Sequence, residues 1–137
     1  MQQARLRFAP ATRSLSRRFL SVKVCKLTPH PAEYGASGPV LGGDVSKIIS
    51  GAPSTKTAVQ HAGGIVTGTW ECEPGKWSHE QSGDEYVSLL EGSMILESAD
   101  GTVEKYSALD SFVIPDGWSG TWEVTEPLKK FFVVKGE

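Results

Sequence analysis

From Lys47 onward the chain is a succession of short apolar or alternating runs broken by turn residues, and none of it carries the three-to-four-residue period of a helix. The pattern predicts strands at 47–50, 55–60, 65–71, 76–79, 85–90, 93–98, 102–106, 111–114, 120–124 and 128–134. The breaks have turn chemistry. Glu91-Gly92 and Asp100-Gly101 read as two-residue hairpin turns in which Gly accepts positive φ, and Pro115-Asp116-Gly117 reads as a turn with φ preset by Pro. Many short antiparallel strands linked this way imply a sandwich or a barrel. Gly63-Gly64 and Gly75 favour the barrel, because a residue without Cβ lets a strand bend where a neighbour lies close. Trp70 and Trp122 fall within strands and Trp77 and Trp118 near strand ends. A small barrel needs such bulk inside, so core packing is the first expectation for each and pocket lining the second.

At 137 residues and 39% hydrophobic composition the chain suits one domain with one core. Its net charge of −2 conceals a split: residues 1–32 hold seven Lys or Arg and no acid, whereas all 16 acids lie from Glu33 onward against seven bases. An acidic barrel repels phosphate backbones, so nucleic acid is not expected as its partner. No apolar run approaches the roughly 20 residues of a membrane helix, so no membrane partner is expected either. Cys25 and Cys72 are too few and too far apart for a disulfide framework or a zinc cluster. Three segments result: a basic tail at 1–26, an extended Gly- and Pro-rich lead-in at 27–46, and the barrel at 47–137. The tail, rich in Arg and Ser, has the composition of an organellar transit peptide, with Arg17-Arg18-Phe19-Leu20-Ser21 like a mitochondrial cleavage context. A start codon assigned upstream of the true one in a bacterial gene accounts for it equally. The two readings place the protein in the mitochondrial matrix or in a bacterial cytoplasm, with the tail disordered in both.

The segments 75–92 and 109–124 resemble the two motifs of the cupin superfamily, jelly-roll β-barrels with a pocket at the mouth. Glu85 is followed after six residues by Gly92, and Pro115-x-Gly117 falls correctly in the second motif. Trp70, Gly75-Lys76-Trp77, Asp84-Glu85, Gly120-Thr121-Trp122-Glu123 and Glu126-Pro127-Leu128-Lys129-Lys130 further resemble the small single-domain cupins of the ureidoglycine aminohydrolase and ethanolamine-utilisation type. The resemblance covers about residues 64–134 and implies an all-β, single-domain jelly roll and a homodimer formed by packing one sheet of each barrel together. Metal-binding cupins use two His and a Glu from the first motif and a His from the second. Here those positions hold His79, Gln81, Glu85 and Gly120.

Two readings of His79, Gln81 and Glu85 therefore stand. They form a three-ligand site for Mn, Fe, Ni or Zn, or His79 and Gln81 are polar wall residues with Glu85 a structural acceptor. The neutral amide and the missing fourth ligand favour the second, with no cofactor. The expected pocket is lined by Trp77, His79, Gln81, Tyr86, Trp118 and Trp122 and takes a small polar molecule, since aromatic walls with a few polar groups are the usual make-up of such sites. A metal-dependent enzyme acting on a small nitrogenous, ureidoglycine-like or carbohydrate-like metabolite is the alternative, and a homodimeric interaction module the third. Among the remaining candidates, His30 and His61 read as exposed loop residues. Strand alternation turns only one of Asp84 and Glu85 inward. Glu71 and Glu73 form a second carboxylate pair that raises the Cys72 thiol pKa. Lys129-Lys130 reads as a solvated strand end, with Glu123 or Glu126 as a partner for one of them.

Overall fold

The computed structural model describes residues 22–136, and the tail's run at 17–21 lies outside them. Nine strands form a single curled sheet among the described residues: β1 (Ala36–Pro39), β2 (Ile48–Ser50), β3 (Ser54–Ala62), β4 (Ile65–Cys72), β5 (Gly75–Glu80), β6 (Glu85–Ser98), β7 (Val103–Ser107), β8 (Ser111–Ile114) and β9 (Ser119–Lys135). The sheet folds into two facing layers because β6 and β9 are long enough to belong to both. The first halves of β6 and second halves of β9 pair in one layer, Glu85 with Val134 and Leu89 with Lys130. There β4 and then β3 and β1 extend the β9 side, and β8 pairs with β6. In the other layer, Met94 pairs with Val124 and Ser98 with Gly120, flanked by β5 and β2 beside β9 and by β7 beside β6. This is the expected all-β jelly roll in a single domain. Trp77, Val87, Leu89, Met94, Leu96, Ile114, Trp122, Val124 and Leu128 fill the space between the layers. Burial of such side chains stabilises by about 1.5–3 kcal/mol each.

Five expectations are corrected here. Glu91-Gly92 is not a hairpin turn, and the strands expected at 85–90 and 93–98 are one strand. Gly92 has φ +84°, and a Cβ there would run into the Pro127 carbonyl, so the glycine serves a bulge where β6 crosses β9. The strands expected at 120–124 and 128–134 likewise merge into β9. Pro127 sits at the register shift, where it has no ladder hydrogen bond to lose. Gly63-Gly64 does not bend a strand but closes the β3–β4 hairpin, and the Gly63 N–H donates to Ile65 O. The lead-in is built into the barrel. It supplies β1, the short 3-10 turn Val40–Gly43, and an exchange of hydrogen bonds between the Gln60 side-chain amide and the backbone N–H and C=O of Thr28. Asp100-Gly101 is not a two-residue turn but part of a three-residue loop, 99–101, closed by the Ser98 N–H donating to Thr102 O, with Gly101 at φ +90°; Pro115-Asp116-Gly117 turns the chain as expected, with Gly117 at φ +80°.

Candidate functional site

A cavity of about 330 Å³ opens at one end of the barrel. Its walls come from alternate positions of five strands, as a period of two dictates: Thr55 and Thr57 on β3, Trp70 on β4, Trp77 and His79 on β5, Glu85 on β6, and Trp122, Lys130 and Phe132 on β9. Val40 and Leu41, from the turn after β1, complete the rim. Leu41 has φ +52°, followed by Gly42 at +63° and Gly43 at +77°. A left-handed Leu costs about 1–2 kcal/mol, so the rim is held in a strained conformation.

Lys130 is the lysine of the cavity wall. It is only 4% exposed, and its Nζ donates to Glu85 Oε1 at 2.7 Å. The ammonium also lies 4.7 Å from the ring centroid of Trp70 and 4.6 Å from that of Trp122. Trp70 directly faces Lys130 in the β4–β9 register, which places one indole beside the cation. The two indoles meet edge-on, with centroids 5.9 Å apart. Burial lowers the Lys130 pKa from the ordinary lysine value, and the Glu85 carboxylate opposes that shift by its charge and hydrogen bond. Lys129, one residue earlier, points to the outer face, where Glu71 lies at 3.9 Å and Glu91 at 4.0 Å and His30 Nδ1 at 3.4 Å. The expectation of a solvated Lys129-Lys130 strand end is thus corrected: both lysines lie mid-strand in β9, flanked by β4 and β6, and both are buried.

The remaining residues singled out in the sequence divide. Trp77, His79 and Trp122 line the cavity together with Glu85; Trp77 packs on Trp122 with centroids 5.8 Å apart, and His79 lies 5.3 Å from Trp122. Gln81 lies just past the end of β5, where its Oε1 meets His79 Nε2 at 2.9 Å and its Nε2 donates to Gly83 O. Trp118 stands behind His79, with its indole N–H donating to Ser98 Oγ. Tyr86 points outward and is 45% exposed, because it follows the inward Glu85 on a regular strand. Asp84 instead accepts the Asp116 N–H at 2.8 Å and fastens the 115–118 turn. His61 belongs to β3 rather than to a loop. Cys72 is buried, and burial, its largest cause, pushes its thiol up to about 12, with Glu73 adding to the rise and Lys130 opposing it.

Against the donor set of a cupin metal centre the fit is poor. His79 Nε2 and Gln81 Oε1 are bonded to each other, and Glu85 Oε1 is bonded to an ammonium. At Gly120, the position of the second motif's His, a Cβ would strike the Glu97 carbonyl and come within 2.8 Å of the Trp118 ring. Among the described residues no three His, Cys, Asp or Glu side chains are gathered in metal-binding geometry. What the cavity offers instead is a compensated ion pair set among indoles. Trp122, one of those indoles, is 3% exposed, and its buried Nε1–H has no acceptor among the described residues. Lys130 escaped the sequence reading. The signal that could have found it is its i, i+2 relation to Phe132 on a strand facing Trp70 and Glu85.

Among solved structures, a protein of unknown function of the DUF861 family from Pseudomonas syringae pv. tomato str. DC3000 aligns with 80% of this chain at TM-score 0.70 and 23% identity. The chain spans 46% of that protein's length. The Clostridium difficile EutQ protein aligns with 61% of this chain and 69% of its own at TM-score 0.55 and 16% identity. A putative ethanolamine utilization protein Q from Salmonella typhimurium LT2 aligns with 68% of this chain and 76% of its own, also at TM-score 0.55 and 16% identity. At these identities the likeness is one of fold. No curated protein matches the chain. No helix among the described residues is long and apolar enough to cross a membrane. A family model described as an EutQ-like cupin domain matches residues 59–132, more than half of the sequence, and the chain therefore belongs to the EutQ-like cupin domain family.

Proposed function

We propose that this barrel is a metal-independent binding module for a small polar metabolite, which enters at the rim formed by Val40 and Leu41 and contacts the Lys130–Glu85 pair. The single observation that supports this reading is the Lys130 ammonium: it sits in the cavity wall on the Glu85 carboxylate, so the acidic residue of the first motif already has its cation. A divalent ion at Glu85 would stand beside that ammonium, and two like charges a few Å apart in a poorly hydrated site repel strongly. The Gln81 amide is a weak, neutral donor, which leaves His79 as the one strong ligand for a transition metal. The reading thereby departs from the divalent-metal hydrolase of the ureidoglycine aminohydrolase type.

Metal analysis of the purified full-length chain after loading with Mn, Fe, Ni or Zn tests it, with His79→Ala and Glu85→Ala as controls. The expected result is sub-stoichiometric metal that neither substitution changes. One equivalent of metal, lost in both variants, overturns the reading in favour of a metal-dependent enzyme.

The homodimer is proposed on the outer face of the layer that contains β8. Tyr86 there lies in register between Val113 and Val133, and Tyr86 and Val113 are exposed. Light scattering should give twice the chain mass, and Tyr86→Lys should halve it; a monomeric parent protein refutes the assignment.

A further inference from the structure

The cavity's charges decide what it accepts. The charged groups identified in its wall are Glu85 and Lys130, of opposite sign and in contact, so the pair is electrostatically closed. An anionic ligand drawn to Lys130 arrives beside the Glu85 carboxylate, and a cationic ligand drawn to Glu85 arrives beside the Lys130 ammonium. Each gives up its own hydration to meet a partner already neutralised, and each brings a like charge close in a site walled by indoles.

An uncharged ligand meets none of these penalties, and the wall holds donors for it. Lys130 carries three N–H groups, and the hydrogen bond it makes among the described residues goes to Glu85. The Trp122 ring lines the same wall, so its indole resonance reports what enters the cavity, although its Nε1–H is itself buried. Thr57 adds a hydroxyl to the same wall, and Glu85 retains acceptor capacity for a ligand O–H or N–H. At about 330 Å³ the space lies at the small end of ligand pockets.

Resting on the binding reading above, we infer that the barrel selects a small uncharged ligand rich in hydrogen-bond acceptors, a polyol or an amide, and excludes acids and amines of the same size. The ligand's oxygen accepts from Lys130, and its own O–H or N–H donates to Glu85. Selection by a compensated pair also predicts how selectivity changes. Glu85→Gln leaves the Lys130 cation without its counter-charge and turns the same cavity into a site for carboxylates.

The test follows the indole N–H resonances of the ¹⁵N-labelled full chain, with the Trp122 signal among the four Trp assigned by Trp122→Phe. The probes at pH 8 are glycerol, xylose, propionamide, propionate and propylammonium. Saturable displacement of the Trp122 signal is expected from the uncharged probes at affinities at least about tenfold above the charged ones, and the polyol and amide arms separate the two sources of that chemistry. In Glu85→Gln, propionate should gain about tenfold or more over its parent affinity. A charged probe binding the parent protein more tightly than all uncharged ones overturns the selectivity and leaves the metal-independent pocket standing. So does a Glu85→Gln variant with unchanged propionate affinity. Silence of the Trp122 signal toward every probe overturns both. If Glu85→Gln fails to fold, the ranking of probes on the parent protein decides alone.

Discussion

Replacing Lys130 by Met keeps most of the side-chain volume while it removes the ammonium. Glu85, whose side chain is 12% exposed, is then left as a nearly buried carboxylate with no cation. Breaking a buried pair from one side costs about 3–5 kcal/mol, and the two indole contacts at 4.6 and 4.7 Å contribute further at roughly 0.5–2 kcal/mol each. Removing both partners should be far milder, because an apolar replacement leaves no stranded charge. The effect of Lys130→Met in a Glu85→Gln background should therefore fall to about 1–2 kcal/mol, a coupling of about 2–3 kcal/mol. Urea unfolding monitored by Trp fluorescence measures each corner of the cycle. At a slope of about 1–3 kcal/mol per molar, Lys130→Met should lower the midpoint by one molar or more at constant slope. A single-variant loss below about 1 kcal/mol, or additive effects of the two substitutions, would refute the claim that this pair is a buried, interdependent unit.

Other expectations follow from the glycines and the thiols. Gly92→Ala combines a left-handed φ with a Cβ aimed at the Pro127 carbonyl and should cost about 2 kcal/mol or more, read as a lowered Tm; a neutral result would remove the bulge as the reason for glycine there. Gly120→His, which restores the second motif's imidazole on paper, should destabilise by about 3 kcal/mol or more without gain of metal, and Gly120→Ala should reproduce most of that loss. Equal stability or tight Zn binding would contradict the clash with Glu97. Cys25 is exposed and should react with a thiol reagent at once, whereas Cys72 should react only on unfolding; equal rates would contradict its burial. The Cys72 thiol also sets an alkaline slope. With its folded pKa raised to about 12 from the ordinary thiol value of 9.0, its contribution is complete below about pH 9 and is lost as pH rises toward 12. Cys72→Ala should remove that decline; the comparison is needed because Lys130, whose pKa is lowered, contributes the opposite slope.

The two-layer barrel was legible in the sequence because it rests on local signals: alternation along each strand, and Gly, Pro and Asp at the turns. Where the reading failed, the deciding partner was distant. Gly92 looks the same to a sequence whether its left-handed φ closes a hairpin or relieves a bulge, and only Pro127 on β9 distinguishes the two. Two adjacent lysines signal solvent until Glu85, 45 residues away, is seen to meet one of them. β1 has no periodicity of its own in Ala-Ser-Gly-Pro and forms because β3 offers a free edge. At the candidate site, Trp77, His79 and Trp122 could be named from position within strands, whereas Tyr86 required knowing which face Glu85 takes. Gln81 required knowing that β5 stops at Glu80.

The double membership of β9 has a kinetic side. It is the inner neighbour of β4 and β5 and, through β6, the support of β7 and β8, so both layers are organised on residues 119–135. Its partners reach back as far as Ile65, opposite Lys135, and loop closure of that length must precede the contacts that reward it. A nascent chain halted before residue 119 carries hairpins such as β3–β4 but no spine on which to assemble them. The barrel thus closes only once β9 has emerged, and its unpaired strand edges are exposed to other chains until then.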